Sequence, residues 1–288
     1  MPKNLSEYRF NDWLQLRPLT HAIKTHRYRE IDQRSLAVKP SGPEINSFRS
    51  LARNQQVVVV IAYNDEETIR LQSELVSRYL PHVLYAVVDN SSDWQVAASI
   101  HKFCLCKSIP YVRLEANPWN GKNPSRSHGF AMNWTWLNLI RPSEPYQFGF
   151  VDHDLFPTAT TNPFRQLESC FCYGDKRWAG SRWFLWAGFC FFDYGAVLEL
   201  PLDFGLDWFV GLDTGGANWN AVYQHLDARV MRDRTIRQVQ VWPEVSTRDA
   251  YFEWRDDWLH EVGLDGRSEL KPKKRLALRE LLQSTCNP

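Results

Sequence analysis

Apolar and polar positions alternate in blocks along the middle of the chain, and the first block is unmistakable. Val57-Val58-Val59-Val60-Ile61 is an unbroken β-branched run, which suits a strand buried on both faces in a parallel sheet. Asn64 follows, with Glu67 three residues on, the spacing of a capping box, and predicts a helix to about Tyr79. Leu84–Val88 is a second apolar strand ending at Asp89, and Asp93 caps a predicted helix to about Lys107. Tyr111–Leu114 makes a third strand, and a polar Gly/Asn/Pro loop covers 115–126. Ser127 then opens a helix with Phe130, Trp134 and Leu137 on one face. Phe148–Val151 is a fourth strand, with Asp152-His153-Asp154 at its C-terminal end.

Strands alternating with helices demand right-handed crossovers and a mainly parallel sheet. Ligands of such sheets bind beyond the carboxyl ends of the strands. Three polar clusters fall there: Tyr63-Asn64-Asp65, Asp89-Asn90-Ser91-Ser92 and Asp152-His153-Asp154.

Beyond 155 the pattern loosens. Trp183–Phe192 reads as a strand or hairpin arm, Thr214 as the cap of a helix over 215–227, and Val239–Val241 as a short strand. Residues 1–55 carry Pro18, Pro40, Gly42 and Pro43 as breakers and show little periodicity. These shifts divide the chain into an N-terminal appendage (1–55), a catalytic domain (56–266) and a basic C-terminal tail (267–288).

Composition adds limits. With 288 residues, 44% hydrophobic and 23% charged, the chain can build a sizeable core. A net charge of +1 argues against a nucleic-acid partner. The 13 Trp, most of them beyond position 90, serve either an aromatic core or a stacking surface for sugar rings. The six Cys include Cys104-x-Cys106 and Cys170-x-Cys172, not the C-x₂-C of zinc sites, and are expected as reduced thiols of a cytoplasmic protein. The opening MPKNLSEYRFNDW has no apolar run of signal-peptide length, and no stretch approaches 18 apolar residues. Membrane contact is then expected only at the periphery. The tail offers Lys271, Lys273, Lys274, Arg275 and Arg279 to anionic lipid, or forms a solvated terminal helix.

Asp152-x-Asp154 is the sharpest chemical feature. Residues i and i+2 of an extended chain point the same way, so two carboxylates offer hard oxygen ligands to Mg²⁺ or Mn²⁺ together with phosphate oxygens. A solvated or capping pair is the plainer alternative. His153 would face away and is read as structural or as a support to the ligands ahead of being a ligand itself. Asp89 suits a ribose hydroxyl or a base N–H, and Tyr63 and Asn64 end the strand where a base would lie, although all three also suit helix capping. Asn117 and Arg126 stand in an amide- and glycine-rich segment at a helix start, fit for phosphate or for an ordinary surface loop. Asp213 is a general base or an N-cap. His260 is a late metal ligand or a buried structural residue. G-x-x-x-x-G-K-[ST], G-x-S-x-G, H-E-x-x-H and G-x-G-x-x-G are all absent, which removes P-loop, serine hydrolase, zincin and NAD readings.

Taken in order, VVVVIAYNDEE, YAVVDNSSD, the segment leading to HGFAMNW, and FGFVDHDLFP make residues 57–165 resemble the GT-A glycosyltransferases, in particular the family-2-like inverting enzymes. The resemblance implies an α/β, GT-A-like three-layer sandwich with a mainly parallel central sheet and an irregular, aromatic-rich C-terminal half. It implies transfer of a sugar from a nucleotide-sugar to an acceptor hydroxyl on a glycan, lipid-linked molecule or protein, by direct displacement. Tyr63 and Asp89 would contact base and ribose, Asp152 the ribose or the metal shell, and Asp154 and His260 the metal. Asp213 stands where the acceptor-side base is expected, with Leu212 in place of the usual preceding Glu.

Three rivals differ in class. A haloacid-dehalogenase-type phosphatase wants Thr or Val where Phe156 stands. A nucleotidyltransferase needs a basic Gly-rich loop where Asn64-Asp65-Glu66-Glu67 stands. A non-catalytic GT-A-like domain would bind a glycan or partner through its Trp-rich half.

Overall fold

A computed structural model describes residues 5–242, 250–262 and 270–286. Its larger sheet has the order β3-β2-β1-β4-β7-β6. The strands are β1 (Gln56–Ala62), β2 (Leu84–Asp89), β3 (Tyr111–Arg113), β4 (Gln147–Asp152), β6 (Cys172–Ala179) and β7 (Arg182–Asp193). Pairs β1–β2, β2–β3 and β1–β4 are parallel, while β7 adds to β4 and β6 to β7 antiparallel. The chain thus builds outward from β1 through β2 and β3, then returns to place β4 on the other side. A sheet that reverses its strand order opens a crevice at the carboxyl ends of the strands flanking the reversal, here the ends of β1 and β4.

The predicted strands are present, and β1 shows why most clearly, since its β-branched residues fill both faces. Val57, Val58, Val59 and Val60 are fully buried, each contributing about 1.5–3 kcal/mol by leaving water. Helices α4 (Glu66–Tyr79) and α5 (Trp94–Cys106) bring Ile69, Ile100 and Phe103 against Val60 and Val87. Helix α3 (Pro43–Ala52) and helix α6 (Pro124–Thr135) bring Ile45, Phe48, Phe130 and Ala131 to the larger core cluster with Val57, Ile61 and Val88. Helix α3 therefore shares its core with the strands that follow. Before it, α1 (Phe10–Leu14) and α2 (Arg17–Leu36) lie mostly exposed, with Tyr28, Ile31 and Leu36 touching that core.

Two helix starts differ from the sequence reading by a residue or more. Asp65, not Asn64, caps α4, its carboxylate accepting from Thr68 N at 3.3 Å. Asn64 instead sits at φ +49°, a left-handed conformation that Asn tolerates better than most residues. Asn123, not Ser127, caps α6, because Pro124 at the first helical position favours a start there. Asp93 caps α5 as expected. Helix α6 runs through a π turn at Trp136–Ile140 into α7 (Arg141–Ser143).

Past β4 the chain is less regular, as its patterning implies. β6 and β7 form the aromatic hairpin, and α8 is the short Tyr194–Val197 turn. No helix spans 215–227. Two 3₁₀ turns, Gly216–Trp219 and Tyr223–His225, stand there. Gly215 explains why: it holds φ +90°, and a Cβ on it would lie 2.7 Å from the Leu185 carbonyl, so the segment lies flat on β7 rather than coiling away from it.

A second sheet has the order β5-β10-β9-β8, from β5 (Leu155–Pro157), β8 (Ile236–Gln240), β9 (Tyr251–Arg255) and β10 (Trp258–His260). β5 pairs with β10 a hundred residues later, with Leu155 opposite His260.

The chain ends in α9 (Lys271–Cys286). Its cations meet acids of this same molecule. Lys271 and Arg275 both reach Asp65 at 2.8 Å, Arg275 also reaches Glu261 at 2.9 Å, and Arg279 reaches Glu67 at 2.6 Å. Lys274 is fully buried and donates to the Val262 carbonyl. Docking on anionic lipid through these residues therefore finds no support, since most of the charge faces the acidic first turn of α4. Residues 267–269, 287 and 288 of that tail lie outside the described residues. Among the described residues, no helix is long and apolar enough to cross a membrane.

Candidate metal site

Asp152 closes β4, and the turn after it carries Asp154. Gln72 of α4 fixes that turn. It is fully buried, and its Nε2 donates to the carbonyls of Asp152 (2.7 Å) and Leu155 (2.6 Å), while its Oε1 accepts from Tyr85 at 2.8 Å. A buried amide with every bond made is a rigid clamp. His153 turns away between the two acids, its Nδ1 lying 3.3 Å from the Ile61 carbonyl.

β10 brings His260 to the same place. One ligand atom from each of Asp152, Asp154 and His260 lies within 4.8 Å of the other two. His260 Nε2 is 3.5 Å from Asp154 Oδ1. The two aspartate side chains keep 21% and 25% of their surface exposed, whereas His260 keeps 12%. The acids thus keep part of their surface open, with the imidazole more deeply set. His128 of α6 adds a second imidazole, 3.7 Å from Asp152 Oδ1. β7 must pass close by: a Cβ on Gly188 would lie 2.3 Å from Asp152 Oδ2 and 2.3 Å from the Trp186 ring.

The charged groups here act on one another. Burial raises the Asp152 carboxyl, which Asp154 raises further and His128 partly opposes. Burial also acts to raise Asp154, but the charge and hydrogen bond of His260 overcome it and hold Asp154 at about 2. Burial pushes His260 down, and Asp154 and Glu253 override it, holding the imidazole near about 9. His260 thus stabilises the Asp154 carboxylate, while the Asp152 carboxyl stays raised. Two part-exposed carboxylates and an imidazole within 4.8 Å of one another suit Mn²⁺ or Mg²⁺ that keeps further oxygen ligands. The residues present therefore fit such an ion.

The other predicted residues fall in two groups. Tyr63 stays at the rim, 37% exposed, with its hydroxyl 3.3 Å from Ser92 Oγ. Asn64 ties the ends of β1 and β2 together. Its N–H donates to Ser91 Oγ, its amide donates to Ser92 Oγ, and its Oδ1 accepts from Asp93 N. Asp89 is fully buried and accepts from Tyr111 (2.6 Å), Arg113 (3.3 Å) and Ser91 N (2.8 Å). Asn117 bridges Asn90 and Ser127 at 2.8–3.1 Å. The guanidinium of Arg126 lies over the Tyr28 ring at 3.9 Å, on the side of α2. Asp213 is exposed, with Oδ1 accepting from Thr214 N at 2.8 Å. Its neighbour Gly215 packs on Leu185–Ala187 of β7, the stretch that leads into Gly188. Asp152, Asp154 and His260 are therefore assembled as one cluster, Asp213 lies on a segment beside the same strand, and Asp89, Asn117 and Arg126 have protein partners of their own. Gln72 and His128 carry no motif. Their only sequence signal is position, Gln72 on an amphipathic helix face and His128 as the first residue of HGFAMNW.

No protein-family model and no curated protein matches the chain. Among solved structures it is similar to a mannosyltransferase from Pyrobaculum calidifontis in complex with GDP-Man and Mn²⁺. That likeness has 14% identity and a TM-score of 0.38, and it covers 61% of this chain and 56% of the other.

Proposed function

We propose that this chain is a metal-dependent glycosyltransferase with a GT-A-like three-layer sandwich, using a nucleotide-sugar donor with Mn²⁺ or Mg²⁺. One observation carries the reading: Asp152, Asp154 and His260 converge within 4.8 Å at the carboxyl rim of a mainly parallel sheet, beside the strand reversal. Asp152, Asp154 and His260 would hold a divalent ion there, which would supply positive charge for the leaving diphosphate. Tyr63 and the Asn64–Ser92 contact border the place for base and ribose, with Asp89 and Arg113 supporting the rim from below. Asp213 takes the proton of the acceptor hydroxyl as it attacks the anomeric carbon, giving inversion by direct displacement. The rigid backbone clamp made by Gln72 suits a reaction that demands reacting atoms within about 3–3.5 Å.

The test is a thermal-shift panel of UDP-, GDP-, CDP- and dTDP-sugars with and without Mn²⁺, since ligands of the native state raise its apparent stability. One base series should stabilise the protein only when Mn²⁺ is present. A flat response across the panel would remove the enzyme reading. The exposed rings of Trp178 and Trp208 favour a second reading, a non-catalytic glycan-binding domain. Retained glycan binding with no nucleoside-diphosphate response would select it. A nucleotidyltransferase would release pyrophosphate instead of a nucleoside diphosphate.

A further inference from the structure

His260 does not stand alone on β10. The second sheet places a row of residues side by side across its strands: Gln238 of β8 opposite Glu253 of β9, Glu253 opposite His260 of β10, and His260 opposite Leu155 of β5. Directly opposed residues in antiparallel strands share a face. The Glu253 carboxylate accordingly reaches the far side of the imidazole, with Oε2 3.5 Å from Nδ1, while Nε2 faces Asp154.

Glu253 is itself held. Gln238 Nε2 donates to its Oε1 at 3.2 Å, and Arg255 donates to its Oε2. Arg255 is 1% exposed and donates through Nη1 to Asp175 Oδ2 at 2.6 Å. Arg234 donates to the other oxygen of Asp175 at 2.9 Å. The Arg255 guanidinium also lies 4.7 Å from the Trp186 ring centroid, and Trp186 contacts the His260 ring at 4.9 Å. A chain of buried charges thus runs from Asp175 through Arg255 and Glu253 to the imidazole. Stability alone is a poor reason for it, because burying charges costs much of what their pairing returns.

We propose that Glu253 is a positioning residue for His260: it faces the Nδ1–H as a hydrogen-bond acceptor, fixes the tautomer with a bare Nε2, and aims that nitrogen between Asp152 and Asp154. Carboxylates that orient metal-binding histidines in this way commonly change metal affinity by about 10–100-fold when removed. The inference rests on the proposed metal site and extends it by one residue.

The experiment is Mn²⁺ titration of the whole chain, followed by the electron paramagnetic resonance of free Mn²⁺, for wild type, E253A, E253Q, H260A and the H260A/E253A double variant. E253A should weaken binding about 10–100-fold. E253Q should recover part of the loss, since its amide oxygen still accepts from Nδ1–H. Adding E253A to H260A should change nothing further, because the residue acts only through the imidazole. Folded E253A that binds Mn²⁺ like wild type would overturn the proposal, and so would an additional loss in the H260A background. Wild type that binds no Mn²⁺ would instead remove the metal site and the proposed function with it. Should E253A not fold, wild type answers directly: ¹⁵N-histidine spectra with Zn²⁺ as a diamagnetic probe should show His260 protonated at Nδ1 and ligated at Nε2. The reverse assignment would overturn the proposal.

Discussion

Two strand ends on one sheet carry aspartates, and they are used in opposite ways. At the end of β2, Asp89 is sealed from solvent and accepts from Tyr111, Arg113 and Ser91. At the end of β4, Asp152 and Asp154 keep open surface and have mainly imidazoles beside them. A carboxylate whose lone pairs are filled by the protein holds structure together, whereas one left with open lone pairs beside a like charge is poised for a cation. The difference lies in neighbours, not in residue type or strand position.

Asp154→Ala breaks the comparison hardest. It should lower Mn²⁺ affinity by more than about a hundredfold, beyond the range seen for outer-shell losses, and abolish sugar transfer while circular dichroism stays native. A folded variant with metal-dependent turnover would make Asp154 as structural as Asp89.

Changing pH should have the next largest effect. Metal binding needs a neutral imidazole, and His260 holds its proton up to about 9. Mn²⁺ affinity should therefore rise with pH, approaching about tenfold per unit, and level off above that point. The ion-free protein should behave oppositely. The stability added by charged His260 is complete below the ordinary imidazole value of about 6.5 and is lost as pH rises through about 9. Calorimetric titrations at several pH values, in wild type and H260A, check both trends, and the affinity slope should vanish in H260A.

Gly188→Ala sharpens the contrast from β7. Its methyl would press on the Asp152 carboxylate and the Trp186 ring, so stability should fall by about 1–3 kcal/mol and Mn²⁺ affinity by about tenfold. Urea unfolding and metal titration on the same sample separate the two.

Asp89→Asn should have the smallest effect on the metal. It weakens the acceptor for Tyr111 and leaves Arg113 without its counter-charge, costing about 1–3 kcal/mol, with Mn²⁺ affinity unchanged. A variant that keeps its stability but loses nucleotide-sugar response would move Asp89 from support to ligand contact.

The sequence by itself determined the strands β1 to β4, the helices between them and the acid pair, because β-branched runs, turn residues and an i, i+2 spacing are local physics. It could not place the cap of α4 or α6 to the residue, since Asn64, Asp65, Asn123 and Ser127 all have capping chemistry and only the flanking conformation chooses among them. It misread 215–227, where contact of Gly215 with β7 outweighs helical capping. Only tertiary structure decided which aspartate is sealed and which is open, that α9 pairs its cations with α4, that Gln72 and His128 flank the acid pair, and that Glu253 backs His260. The pairing of β5 with β10 brings His260 across a hundred residues to Asp154, and no local pattern encodes so distant a meeting. A side chain's chemistry follows from its own residue, but its electrostatic surroundings come from whichever strands the fold sets beside it.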